Sequence, residues 1–171
     1  MPKVVYFNAQ GSAQQIRNLL HYANVEFEDV KYSFETWPEA KASGQYGENP
    51  NIPMYIEEDG TIYKQSTAIL NFLAAKHNIR PADANEVYES TWFFETEHDW
   101  RSKAGWGAGI MKNEPTQEEI ERTIELQGGF MEALDKQWAD GRTHAAGNSV
   151  TTADFAVLSF YTAKVTNERA K

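Results

Sequence analysis

Two hydrophobic rhythms share this chain of 171 residues, and one gives way to the other at Arg80-Pro81. Ahead of that pair, short β-branched and aromatic runs alternate with helical stretches; beyond it the strand signals stop. Val4-Val5-Tyr6-Phe7 ends at Asn8-Ala9-Gln10-Gly11, which reads as strand then loop. Ile16, Leu19, Leu20 and Ala23 recur at i, i+3, i+4, i+7, one face of a helix, and residues 27–32 read as a second strand. A βαβ order of this kind implies a right-handed crossover between parallel strands. Residues 33–51 are polar and rich in Gly, Asn and Pro, a long connection. Met54-Tyr55-Ile56 and Thr61-Ile62-Tyr63 then flank Glu57-Glu58-Asp59-Gly60 as a hairpin, and Ile69, Phe72, Leu73 and Lys76 mark an amphipathic helix. The expectation is an α/β domain of order βαβ–ββα over residues 1–79, a linker over 80–84, and an all-α helical domain over 85–171.

The second half carries its own start signals. One helix is expected over residues 85–103. Thr116-Gln117-Glu118-Glu119 has the form of a capping box and leads into Ile120, Ile124, Gln127, Met131, Leu134 and Trp138 on one face. Gly128-Gly129 interrupts that pattern at a cost of about 1 kcal/mol each relative to Ala. A third helix begins at Thr151, whose hydroxyl is placed to cap the Asp154 N–H while the Asp154 carboxylate reaches back to the Thr151 N–H.

Charge and composition then narrow the function. With 16 Lys plus Arg against 25 Asp plus Glu, the formal charge is −9, which argues against nucleic acid and anionic membrane surfaces as partners. An anionic ligand would need a local positive pocket. The chain has no cysteine, which excludes disulfides, thiolate metal sites and a cysteine nucleophile. His21, His77, His98 and His144 show no metal-ligand spacing, so no metal is expected. No apolar run approaches the roughly 18 residues of a membrane span, and the first residues lack a signal-peptide pattern. A soluble, cytoplasmic protein is the resulting expectation.

Four features in the first half carry chemistry. Tyr6 closes the first strand; Ile52-Pro53 precedes the third, where a cis bond would free the Ile52 backbone to pair with an extended peptide. Ser66 suits an N-cap, and the N–H groups that open its helix, next to Gln65, suit a carboxylate. Trp37 and Lys41 in the long connection offer a donor and a cation to an anionic ligand. Taken singly, each has a plain structural reading: a core tyrosine, a turn proline, a helix cap, a buried ring and a solvated charge.

Their order changes the weight. Tyr6-Phe7-Asn8, Trp37-Pro38-Glu39-Ala40-Lys41, Ile52-Pro53 and Gln65-Ser66-Thr67-Ala68-Ile69 together resemble the thioredoxin-like N-terminal domain of sigma-class glutathione transferases, in the branch that holds the glutathione-dependent prostaglandin D synthases. Gly147-Asn148-Ser149-Val150-Thr151-Thr152-Ala153-Asp154-Phe155 resembles that superfamily's folding motif. The resemblance implies that Tyr6 donates its hydroxyl proton to the sulfur of glutathione, a cosubstrate that supplies the nucleophile this chain lacks. It implies that Ile52, before Pro53, pairs with the cysteinyl backbone, that Gln65 and Ser66 hold the γ-glutamyl end, and that Trp37 and Lys41 hold the glycyl end. Asp99 matches an acid that reaches the γ-glutamyl amine across a dimer interface, and Trp106 an aromatic wall of the electrophile pocket.

The chain departs from the family pattern in several places. Ser12 stands where an arginine is usual, the connection before Pro53 is longer, and the family normally continues for two or three more helices after the one at Thr151. Two functions follow as alternatives. One is transfer of glutathione to a small hydrophobic electrophile, or isomerisation of a lipid, by a homodimer. The other is a non-enzymatic subunit or scaffold in a larger assembly, where a partner chain covers the apolar surface that the missing helices would hide.

Overall fold

The computed structural model describes residues 1–103 and 116–166. It divides into two compact units, Met1–Arg80 and Pro81–Lys171. The first unit runs β1 (Lys3–Phe7), a 3-10 turn (Gly11–Ala13), α1 (Gln14–Tyr22), β2 (Glu28–Tyr32), α2 (Trp37–Ala42), β3 (Met54–Ile56), β4 (Ile62–Lys64) and α3 (Ser66–Lys76). Its sheet has the order β2-β1-β3-β4. β1 and β2 are parallel, as the crossover required, and the β3–β4 hairpin adds antiparallel to the other edge of β1.

Alternation along β1 sends Val4 and Val5 to opposite faces, and both are fully buried, so the sheet is covered on both sides. Val5 joins Ala40, Tyr46 and Met54 in one cluster, with Val30, Tyr32, Trp37 and Ile52 packed against it. On the other side α1 meets α3, and Ile16, Leu19, Leu20, Ile69 and Leu73 are completely buried. The structure corrects the reading of residues 33–51 as plain connection, because α2 lies within them. Its signal was present: Pro38 sits at the second helical position, where a missing N–H is harmless, and Glu39 lies in the first turn.

The regular elements among the described residues of the second unit are all helices: α4 (Ala84–Arg101), α5 (Gln117–Gln137) and α6 (Thr152–Thr166). Phe93, Phe130, Leu134, Ala153 and Phe160 form its core, with Trp92, Trp100 and Trp138 packed around them. Asp83 caps α4 by accepting from the N–H groups of Asn85 and Glu86. Thr116 and Glu119 form the expected capping box at α5. Gly128 and Gly129 do not break that helix, which continues through them to bury Phe130 and Leu134. At α6, Asp154 Oδ2 accepts from the Thr151 N–H at 2.8 Å, as expected. The other half of the expectation is corrected: Thr151 Oγ1 accepts from Ala153 at 3.3 Å, and the Asp154 N–H bonds instead to the Thr151 carbonyl. Asp154 also accepts from the Ala145 N–H at 3.0 Å, a bond that fastens the preceding loop. In that loop Gly147 has φ +82 and lies against Glu86, where an added Cβ would overlap the carboxylate.

Candidate active site

Strand register gathers the chemistry of the first unit at one end of the sheet. Val5 pairs with Met54, and Met54 pairs with Lys64. Therefore the end of β1, the start of β3 and the end of β4 lie side by side, which puts Tyr6, Ile52-Pro53 and Gln65-Ser66 along the same edge. Phe7 pairs with Tyr32, so the chain leaves β2 for α2 from that end as well. Trp37 packs there, 5.5 Å from Tyr32, 6.2 Å from Tyr46 and 6.4 Å from Phe7 between ring centroids. Lys41 is exposed in the last turn of α2.

Tyr6 is half-buried, and its hydroxyl accepts a hydrogen bond from the backbone N–H of Ser12 at 3.3 Å. Gly11 lies flat against the ring: a Cβ there would come within 2.6 Å of Tyr6 Oη, and its φ of +43 is one that side-chain-bearing residues rarely adopt. With its oxygen engaged by an N–H, the phenol retains one O–H proton to donate. A tyrosine held this way is a hydrogen-bond donor aimed by a backbone loop.

Pro53 is buried and follows a cis peptide bond from Ile52, as the sequence suggested. Among the described residues no backbone-to-backbone hydrogen bond holds residues 48–53, so the main-chain groups of Ile52 stand unpaired beside the sheet edge. Gln65, not Ser66, is the N-cap of α3; Ser66 is the first helical residue. Gln65 is exposed, has φ 73 and ψ 115, and makes no side-chain cap. A non-glycine residue at such angles carries roughly 1–3 kcal/mol of strain and occurs where surrounding structure enforces it.

Sequence patterns missed the support for the Tyr6 loop. Arg17 is buried, donating from Nε to Asp29 Oδ1 at 3.0 Å and from Nη1 to the carbonyls of Ala9 and Gln10 at 3.0 and 3.3 Å. A buried cation survives only when paired, and here its partners fix the loop that carries Gly11 and Ser12. The available signal was a charge set beside Ile16 on the apolar face of α1. Tyr32 and Tyr46 share a hydrogen bond of 2.8 Å, and burial, then the Tyr32 hydroxyl, raises the Tyr46 phenol above its usual value.

Asp99 belongs to the second unit, on α4, where its side chain is 73% exposed and pairs loosely with Lys103 at 3.9 Å. Trp106 lies outside the described residues. Among the described residues there is no group of three His, Asp or Glu that could hold a metal ion. No described helix is long and apolar enough to cross a membrane.

Residues 2–75 match the family described as glutathione S-transferase, N-terminal domain. Glutathione S-transferase 3 of Caenorhabditis elegans is 28% identical over 175 residues, spanning 97% of this chain and 81% of that protein. Human hematopoietic prostaglandin D synthase is 29% identical over 155 residues, 90% of this chain and 74% of the relative. Among solved structures, prostaglandin synthase D of Nilaparvata lugens superposes with a TM-score of 0.77 at 23% identity, covering 97% of this chain and 82% of the other, a likeness of fold. The sheet, the cis proline and the Gln65-Ser66 helix start all stand where this family match falls, and residues 2–75 form a glutathione S-transferase N-terminal domain.

Proposed function

We propose that this chain is a glutathione transferase of sigma type, in which the Tyr6 hydroxyl stabilises the thiolate of bound glutathione for attack on a small hydrophobic electrophile or for lipid isomerisation. The bond from the Ser12 N–H to Tyr6 Oη carries this reading, because it leaves the phenol proton as the donor. A free thiol of pKa ~8.5 is only a few per cent ionised at pH 7; lowering it by about two pH units, roughly 2.7 kcal/mol, makes the anion the major form. Cysteine is absent from the chain, and the cosubstrate brings the sulfur.

The rest of the ligand is held by matched positions. The unpaired backbone of Ile52, before Pro53, adds the cysteinyl segment as a short extra strand. Gln65, Ser66 and the opening N–H groups of α3 take the γ-glutamyl carboxylate. Trp37 and Lys41 take the glycyl end, and Trp106 forms a wall for the second substrate. α4 leaves Val87 and Tyr88 exposed at 51% and 67%, a surface that suits self-association. In such a homodimer Asp99 serves the γ-glutamyl amine held by the second copy. The cytoplasm, where reduced glutathione is abundant, is the compartment this chemistry requires.

Tyr6→Phe is the test. Glutathione should still bind, while ultraviolet absorbance of the bound thiolate should titrate about two pH units higher, lowering conjugation of an aryl halide at pH 7 by roughly 20-fold. An unchanged titration would remove Tyr6 from the mechanism. Tight glutathione binding by the native chain without any turnover would favour the non-enzymatic subunit.

A further inference from the structure

Lys64 lies at the last position of β4, immediately before Gln65, and its Nζ donates to the backbone carbonyl of Glu48 at 3.2 Å. Glu48 sits in the segment that leads to Ile52-Pro53. That segment reverses direction at Gly47 (φ 73) and Asn49 (φ 49) and has no backbone-to-backbone hydrogen bond over residues 48–53 among the described residues. Its fixed points are few: Tyr46 is buried at one end and Pro50 near the other, while Glu48, Asn49 and Asn51 are exposed. One side chain therefore joins the two stretches that face the ligand, the approach to Ile52 and the approach to Gln65.

We propose that Lys64 is a positioning residue for glutathione, acting through the Glu48 carbonyl to hold the Ile52 backbone where the cysteinyl segment can pair with it. This deepens the glutathione reading and rests on it. The physical case is pre-organisation. A mobile segment must be ordered when the peptide docks, and a tie already made in the free protein removes part of that entropic cost. The donor is a cation, and charge-assisted hydrogen bonds exceed neutral ones in strength. The effect on Tyr6 should be nil, since Tyr6 is held from the other side by Gly11, Ser12 and the loop that Arg17 fixes.

The experiment compares the native chain with Lys64→Met and Lys64→Arg. Glutathione affinity is read by calorimetry at low and high salt, the bound-thiol titration by absorbance, and the backbone order of Glu48, Asn49, Asn51 and Ile52 without ligand by NMR relaxation. Lys64→Met should raise Kd about fivefold, lower the order parameters of these residues and leave the thiol titration in place, while Lys64→Arg keeps affinity and order near the native values. Unchanged order parameters in Lys64→Met overturn the proposal whether or not glutathione binds. An affinity loss that high salt abolishes also overturns it, because Lys64 would then act on the ligand directly through its charge. If the native chain binds no glutathione at all, the glutathione reading fails and the proposal fails with it.

Discussion

The starts of α3 and α6 do the same structural job in opposite ways. At α6, Asp154 and Thr151 satisfy the N–H groups of Thr151 and Ala153 with their own side chains, and Asp154 reaches back to Ala145 as well. At α3, no side chain caps the helix, and Gln65 is held at a positive φ with its side chain exposed. α4 and α5 follow the α6 pattern, through Asp83 and through the Thr116–Glu119 box. A helix start leaves up to four donors without internal partners. Side chains cap α4, α5 and α6 of the second unit, whereas α1, α2 and α3 of the first have no side-chain cap, and of these three only α3 is entered through a residue at positive φ. The strained entry, and not the missing cap alone, is what sets the α3 start apart.

Asp154→Ala should produce the largest stability change that bears on this contrast. It strips acceptors from the N–H groups of Thr151 and Ala145, both nearly inaccessible to water, so a loss of about 2–3 kcal/mol is expected. Urea denaturation should show a lower midpoint at unchanged slope, with glutathione affinity preserved. A fall in affinity matching the fall in stability would erase the distinction between the two starts.

Gln65→Gly should move the two properties in opposite directions. Glycine tolerates the backbone angles of this position, and relief of strain should stabilise the fold by about 1 kcal/mol after the entropic cost of the glycine. Glutathione should bind more weakly, because the amide that meets its γ-glutamyl end is gone. Melting temperature and calorimetric affinity from the same sample settle it; a destabilised variant would mean that Gln65 is held there for the fold.

Thr116→Ala is the control at a start far from any ligand role. Removing the bond to the Glu119 N–H should cost roughly 0.5–1 kcal/mol with no change in binding. The smallest effect concerns the loop before α6, where hydrogen bonds from Arg142 hold the Asp140 carboxyl down at about 2. Because this pKa is depressed, its small contribution to stability is complete above the unfolded carboxylate value near ~4. It fades as pH falls through about 2, visible as a difference between native and Asp140→Asn unfolding midpoints that vanishes in acid.

Much of this was legible along the chain because the interactions are local. Capping residues, hairpin turn residues and helical periods act within a few positions, so Thr116-Glu119, the reach of Asp154 back to the Thr151 N–H and the β3–β4 hairpin could be read directly. α2 escaped as a helix because six residues give too short a period to recognise within a polar, Gly-rich stretch. The site residues were legible as a set only through their order, since Tyr6, Ile52-Pro53 and Gln65-Ser66 each have a commonplace structural use.

What tertiary structure alone decided is whatever joins distant positions. Arg17 meets the carbonyls of Ala9 and Gln10 and the carboxylate of Asp29, Lys64 meets the carbonyl of Glu48, and Gly11 meets the Tyr6 ring. No period or motif announces such contacts, because they depend on strand register and loop path rather than on neighbouring side chains. Gln65 shows the division within one residue. Its place at the head of an amphipathic helix was written in the sequence, whereas its positive φ came from the sheet. β4 and α3 must meet across a single residue, and the geometry of that junction overrides the local preference of a glutamine backbone.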